Sequence, residues 1–316
     1  MQSAPSECSR RYRVLVATLG IAVLATALLP FVDAAPAAAA GTLDRIRQAG
    51  EIELGYRDDA RPFSYKDESG KAAGYSIALC EKIADDVKTE LGLPSLTVDW
   101  VPVTLEDRFQ AVQQGKVDLL CGADTATLTR RKDVSFSVPI FPSGIGAILR
   151  ADAPVQLREV LAGRPASGPV WRGSPARILE KKTFSVVTGT TSATWLANRM
   201  NAFHIDATVA PVDSYQAGIQ QVLDRKSDVF FGDRPILYDA AEGGPSAADL
   251  TVLDRLFTYE PLALAMARDD EDFRLIVDRS LSKLFRSDQF QDVYVKWFGQ
   301  PDESAALFFG LSALPE

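Results

Sequence analysis

Histidine occurs once in the 316 residues, at position 204, and cysteine and methionine three times each. One imidazole cannot build the zinc sites that need several, and the chain also lacks a Gly-x-Ser-x-Gly nucleophile turn and a glycine-rich phosphate loop. His204 reads as an ordinary loop or helix-end residue, and nothing in the pattern calls for a metal or cofactor. A basic excess is missing as well. The 34 Lys and Arg stand against 42 Asp and Glu, a formal net charge of −8. A nucleic-acid or anionic-membrane partner is therefore disfavoured, because phosphate binding depends on basic surface. An anionic ligand would need a local positive pocket set against the overall field. No internal repeat is evident.

The N-terminus carries Arg10, Arg11 and Arg13, an apolar run over residues 14–29 and an alanine-rich stretch over 34–40. That order is expected of a secretory signal peptide spanning residues 1–40, and no cysteine follows the apolar run to take a lipid anchor. The remaining chain stays acidic and is long enough for two domains with proper cores. Cys8 leaves with the signal. Cys80 and Cys121 remain, and an even count in an exported protein predicts a disulfide between them.

Downstream of residue 42, helical and strand patterns alternate. Helices are expected over 43–48, 76–91, 106–114 and 193–200, and strands over 51–56, 96–101, 117–120, 184–188 and 229–231. Such alternation predicts parallel sheets covered by helices. The 67–70 tetrapeptide Asp-Glu-Ser-Gly predicts a hairpin turn. Residues 118–137 combine a buried strand, a small-residue turn at Gly122 and Ala123, threonines at 125, 127 and 129, and the basic pair Arg130-Arg131. In open α/β sheets ligands sit beyond the carboxyl ends of the strands, so this stretch reads as one wall of a small-molecule site. Arg130 can hold a carboxylate through two parallel bonds, and Thr125 and Thr127 supply hydroxyls.

The spacing of Gly122, Thr125, Thr127 and Arg130, followed by Phe136-Ser137 and Pro139, resembles the polar amino acid-binding family of bacterial periplasmic solute-binding proteins, which serve ABC importers. Pro62-Phe63, Gly74-Tyr75, residues 115–118, Gly189-Thr190-Thr191-Ser192, Asp233 and residues 296–299 extend the likeness over about 42–299. Within the family it points to the glutamate/aspartate-binding branch. The resemblance implies a two-lobed periplasmic binding protein fold of class α/β. Each lobe would be a mostly parallel sheet flanked by helices, and two crossing strands would join them. Residues 41–141 and 260–316 would form one lobe around an inserted lobe of residues 142–259.

The same resemblance implies the site. Arg57 and Arg108 match the branch's two arginines for the ligand's side-chain carboxylate, Arg130 takes the α-carboxylate and Asp233 the α-ammonium. Ala123 and Thr125 face the ligand, while Thr188, Thr190 and Thr191 mark the helix opening of the second lobe. Ser214 stands where the branch places a histidine. The chain departs from the branch at Leu105, Ala123, Asp124 and Thr129. If Ala123 and Thr125 face inward, alternation turns Asp124 away, whereas an inward Asp124 would oppose an acidic ligand. The implied protein is a periplasmic, monomeric, non-enzymatic binding component that hands its amino acid to an ABC permease. A cyclohexadienyl dehydratase-like enzyme and a sensor module on the same scaffold are the alternatives. Residues 165–182 and the apolar tail at 301–316 have no counterpart in the compact family pattern.

Overall fold

In the computed structural model the described residues are 41–164, 175–243 and 246–316. The expected signal peptide and Trp171 of the 165–182 stretch lie outside them.

The first lobe opens with α1 (Thr42–Ala49), β1 (Glu51–Tyr56), β2 (Asp59–Ala60), β3 (Ser64–Lys66), β4 (Ala72–Ala73) and α2 (Tyr75–Glu90). It continues through β5 (Thr97–Pro102), α3 (Arg108–Gln113), β6 (Leu119–Thr125), β7 (Ser135–Phe136) and β8 (Phe141–Ser143). The helix α2 forms where apolar residues recur every three to four positions. Ile77, Cys80, Ile83, Ala84 and Val87 are all buried on its inner face. The hairpin expected around 67–70 is present, with β3 antiparallel to both β2 and β4.

The second lobe holds β9 (Ile145–Arg150), α4 (Val155–Leu161), β10 (Thr183–Val187), α5 (Thr191–Phe203), β11 (Thr208–Val212), α6 (Tyr215–Leu223), β12 (Val229–Asp233), α7 (Arg234–Gly243) and β13 (Leu250–Val252). The chain then returns through β14 (Glu260–Met266) to α8 (Glu271–Phe285), α9 (Asp288–Phe298) and α10 (Glu303–Ser312).

The two-lobed α/β architecture stands, with one difference in strand direction: both sheets are mixed. In the first, ordered β5-β1-β6-β14-β7, the β1 pairings with β5 and β6 are parallel, and β14 runs antiparallel to β6, β7 and β8. In the second, ordered β11-β10-β12-β9-β13, β10 is parallel to β11 and β12, and β9 is antiparallel to β12 and β13. The antiparallel strands are those that enter and leave the second lobe. Each crosses the interlobe boundary without a helix to reverse it, so it adds to a sheet in the opposite direction.

The two crossings lie side by side. Strand pairing passes from the first sheet to the second between Ser143 and Ile145, and Ile145 N–H donates to Thr258 Oγ1 at 3.0 Å while Phe257 N–H donates to the Ile145 carbonyl at 2.8 Å. Gly144 lies so close to the Thr258 carbonyl that any side chain there would overlap it.

The apolar tail is a docked helix. Phe309 of α10 packs against Phe285, Phe290 and Tyr294 with ring centroids 5.1, 4.5 and 5.6 Å away. Leu179, C-terminal to the undescribed stretch, is buried in the second-lobe core.

Candidate ligand-binding site

Arg57 follows the last residue of β1, Arg108 opens α3 after β5, and Thr125 ends β6. Because β1, β5 and β6 run parallel, all three positions fall at the carboxyl edge of the first sheet. The Gly122-Ala123 turn expected from the sequence is absent. Both residues continue β6, which pairs with β14 as far as Thr125 opposite Leu262. The chain turns after Thr125, and Thr127 Oγ1 accepts from the Arg130 backbone N–H at 3.1 Å. That cap swings Arg130 back over the site, where its Nη1 donates to the Thr125 carbonyl at 2.8 Å and its guanidinium lies 5.2 Å from the Phe109 ring centroid.

Arg57 is held from both sides. Its backbone N–H donates to Ser64 Oγ at 2.9 Å, and Ser64 Oγ donates to the Arg57 carbonyl at 3.0 Å. Its Nε donates to Asp59 Oδ1 at 2.9 Å, and Nη2 stands 2.6 Å from the same oxygen without the alignment of a hydrogen bond. Burial opposes the Arg57 charge, but Asp59, Asp124 and Tyr215 together hold the guanidinium above its ordinary pKa.

Asp124 is paired to α3. Its Oδ1 accepts from Arg108 Nε at 2.5 Å, the two side chains being 1% and 4% exposed. Burial lowers the Arg130 pKa, Arg108 lowers it further, and Asp124, Asp233 and Glu260 oppose that shift. Phe109 lies against both arginines, with the Arg108 guanidinium 4.2 Å from its ring centroid.

The second lobe supplies the opposing wall. Asp233 ends β12 and is buried. The Tyr215 hydroxyl donates to Asp233 Oδ2 at 2.6 Å and accepts from the Asp233 backbone N–H at 3.2 Å, and Ser143 Oγ donates to Oδ1 at 3.4 Å. Burial pushes the Asp233 carboxyl up, Tyr215 pulls it down, Glu260 raises it, and Arg57 and Arg130 lower it. The Arg130 and Asp233 charges thus interact from opposite lobes.

The remaining expected residues sit at helix openings. Thr190 is the N-cap of α5: its Oγ1 accepts from Ala193 N–H at 3.2 Å and donates to the Val187 carbonyl at 2.7 Å. Ser214 caps α6 by accepting from Ala217 N–H at 3.1 Å. Thr188 is exposed, and among the described residues no hydrogen bond joins Thr188, Thr190, Thr191 or Ser214 to the arginines. The hydroxyl of Ser192, in the first turn of α5, is buried without a partner. Sequence reasoning missed Asp59, Tyr215 and Glu260. Asp59 was legible as an acid two residues after Arg57; Tyr215 and Glu260 carried no local signal.

Residues 52–300 match the bacterial extracellular solute-binding proteins, family 3. The chain belongs to this family. Its relatives include the L-glutamate/L-aspartate-binding protein of Pseudomonas aeruginosa, 30% identical over 88% of this chain and 88% of the relative. The glutamate/aspartate import solute-binding protein of Escherichia coli is 25% identical over 90% of this chain and 88% of its own. Among solved structures, the ancestral amino acid-binding protein AncCDT-1, a precursor of cyclohexadienyl dehydratase, is 26% identical with a TM-score of 0.65, covering 82% of this chain and all of that one. In this solute-binding protein the disulfide expected from the cysteine count is present, Cys80 to Cys121 with Cα atoms 6.2 Å apart, and it ties α2 to β6 next to Gly122.

Proposed function

We propose that this solute-binding protein is the periplasmic, monomeric amino acid-binding component of an ABC importer and that its ligand is an acidic amino acid. What supports this reading is Arg130 folded back onto the Thr125 carbonyl at the edge of the first sheet and Asp233 buried at the end of β12 in the second, charges suited to an α-carboxylate and an α-ammonium. The free N–H groups at the start of α5 suit a carboxylate as well. Arg57 and Arg108 supply the cationic wall for a side-chain carboxylate, and the names of the Pseudomonas and Escherichia relatives support that choice. Closure about the crossings at Gly144 and Thr258 buries the ligand, and the closed form is what a permease would recognise. The ligand shifts the open and closed populations only as far as it prefers the closed one.

The test is a thermal-shift panel of amino acids on protein unfolded and refolded to strip carried-over ligand. Stabilisation by glutamate or aspartate and not by leucine or arginine is expected. Stabilisation by none of the common amino acids would overturn the binding reading, and release of aromatic product from prephenate or arogenate would favour the dehydratase alternative that the AncCDT-1 likeness raises.

A further inference from the structure

We propose that Phe109 is a positioning residue, and that its ring fixes the spacing of Arg108 and Arg130 so that the site selects the length of a dicarboxylic amino acid. This rests on the reading of the cleft as an amino acid site, with Arg130 on the α-carboxylate and Arg108 on the side-chain carboxylate. The guanidinium carbons of Arg108 and Arg130 lie 4.2 and 5.2 Å from the same Phe109 ring centroid. Each arginine has one further anchor in the chain. Arg108 Nε donates to Asp124 Oδ1 at 2.5 Å, and Arg130 Nη1 donates to the Thr125 carbonyl at 2.8 Å. Among the described residues the two Nη groups of Arg108 and the Nε and Nη2 of Arg130 make no hydrogen bond, and they are not sealed from solvent, so they stay available to a ligand's carboxylates.

A guanidinium bonded at a single edge can pivot about that bond. A ring within reach of its carbon limits the pivot, because the cation is drawn to the negative face of the π-system. Here one ring does this for two like charges. Burial lowers the Arg130 pKa and the Arg108 charge lowers it further; the two guanidinium groups repel each other, and Phe109 is an attraction common to both. The ring is itself held. It meets the buried Phe136 of β7 edge-to-face, with centroids 6.3 Å apart and planes at 77°, and Phe136 is fixed in the first sheet opposite Ala265 of β14. Both grips are thereby tied to one fixed point. A ligand whose two carboxylates stand too close together or too far apart must give up bonds to one arginine. An aliphatic side chain at position 109 would fill the space against Phe136 and offer the arginines no such attraction.

The experiment is calorimetric titration of stripped wild-type protein, Phe109→Leu, Phe109→Met and Phe109→Tyr with aspartate, glutamate and 2-aminoadipate, a series that lengthens by one methylene at each step. Wild-type protein is expected to favour one length over at least one of the others by about tenfold or more. Phe109→Leu should bind the favoured ligand about tenfold more weakly and narrow the preference to about threefold or less, while Phe109→Tyr, which keeps the ring, should restore both. Phe109→Met, unbranched and as apolar, serves in the same way where Phe109→Leu fails to fold. Equal binding of all three lengths by wild-type protein would overturn the inference, as would an unchanged preference in the aliphatic variants or a tyrosine variant no better than they are. Each of those outcomes leaves the acidic amino acid site standing. Wild-type protein that binds none of the three would overturn both.

Discussion

Arg61 in the first lobe and Asp239 in the second are ion-paired across the cleft, with Nε 3.0 Å from Oδ2. The guanidinium also lies 4.7 Å from the Tyr65 ring centroid, and both charges line a cleft of about 1300 Å³ together with Asp59, Ser214 and Tyr215. The pair can exist only when the lobes are this close, so it favours the closed form. Because the Arg61 side chain is 58% exposed, its contribution is small. Arg61→Ala should weaken ligand binding by about two- to fivefold, and the difference should fade at high salt. Titrations at low and high salt check this; equal affinities at low salt would exclude the latch.

Arg130 and Asp233 should be required for every ligand whatever its side chain. Removing one partner of a buried, hydrogen-bonded charge pair costs about 2–5 kcal/mol, so Arg130→Ala should lose roughly thirtyfold or more in affinity for all amino acids bound. Retained wild-type affinity in this variant would place the site elsewhere.

The environment of Asp233 makes that clamp pH-dependent. Its carboxyl is raised, chiefly by burial, and a bound ammonium favours the ionised form, so the pKa is lower in the complex than in the free protein. Affinity is then full above the free-protein pKa and is lost as pH falls through it, with the loss setting in above the ordinary aspartate value of about 4. Tyr215→Phe removes the hydrogen bond to Oδ2 and should move the loss to higher pH. Dissociation constants measured between about pH 4 and 8 for both proteins would show it. A flat profile would mean that Asp233 does not meet the ammonium.

Arg108→Met strands the Asp124 charge in a dry site and should destabilise the fold by about 3–5 kcal/mol, whereas Arg108→Met combined with Asp124→Asn should recover most of that loss. Urea unfolding of the two singles and the double gives the coupling. Additive single effects would mean that the pair is not coupled.

The Cys80–Cys121 bridge closes a sequence separation of 41 residues. In the chain-entropy account a loop of that size stabilises by roughly 4 kcal/mol. Urea midpoints of the oxidised protein and of Cys80→Ala/Cys121→Ala should differ accordingly, and non-reducing mass spectrometry should find the linked peptide. Two freely alkylated thiols in native exported protein would refute the bridge.

What the sequence determined by itself is what a short window contains. The helix α2 follows from the spacing of Ile77, Cys80, Ile83 and Val87, the ends of β1 and β12 from the runs before Arg57 and Asp233, and the disulfide from the two cysteines that lie beyond the expected leader. Each is a repeat of side chains or a count that can be read without knowing how the chain packs. What only the tertiary structure decided involves residues far apart in the chain. Gly122 and Ala123 have turn chemistry, yet β6 runs on through them because its end pairs with β14, from more than a hundred residues later, at Asp124 opposite Ala263 and Thr125 opposite Leu262, and the register shift of that ladder falls at the small residues between Leu120 and Asp124. The same pairing makes the first sheet mixed. Alternation sets the face of β6 on which Asp124 lies but not what it meets there, and Arg108, carried in on α3, is the group that holds it. Asp233 depends in the same way on Tyr215 from the start of α6. A buried charge needs a counterion or a donor, and which group supplies it is set by how helices and strands pack, a relation no local pattern encodes.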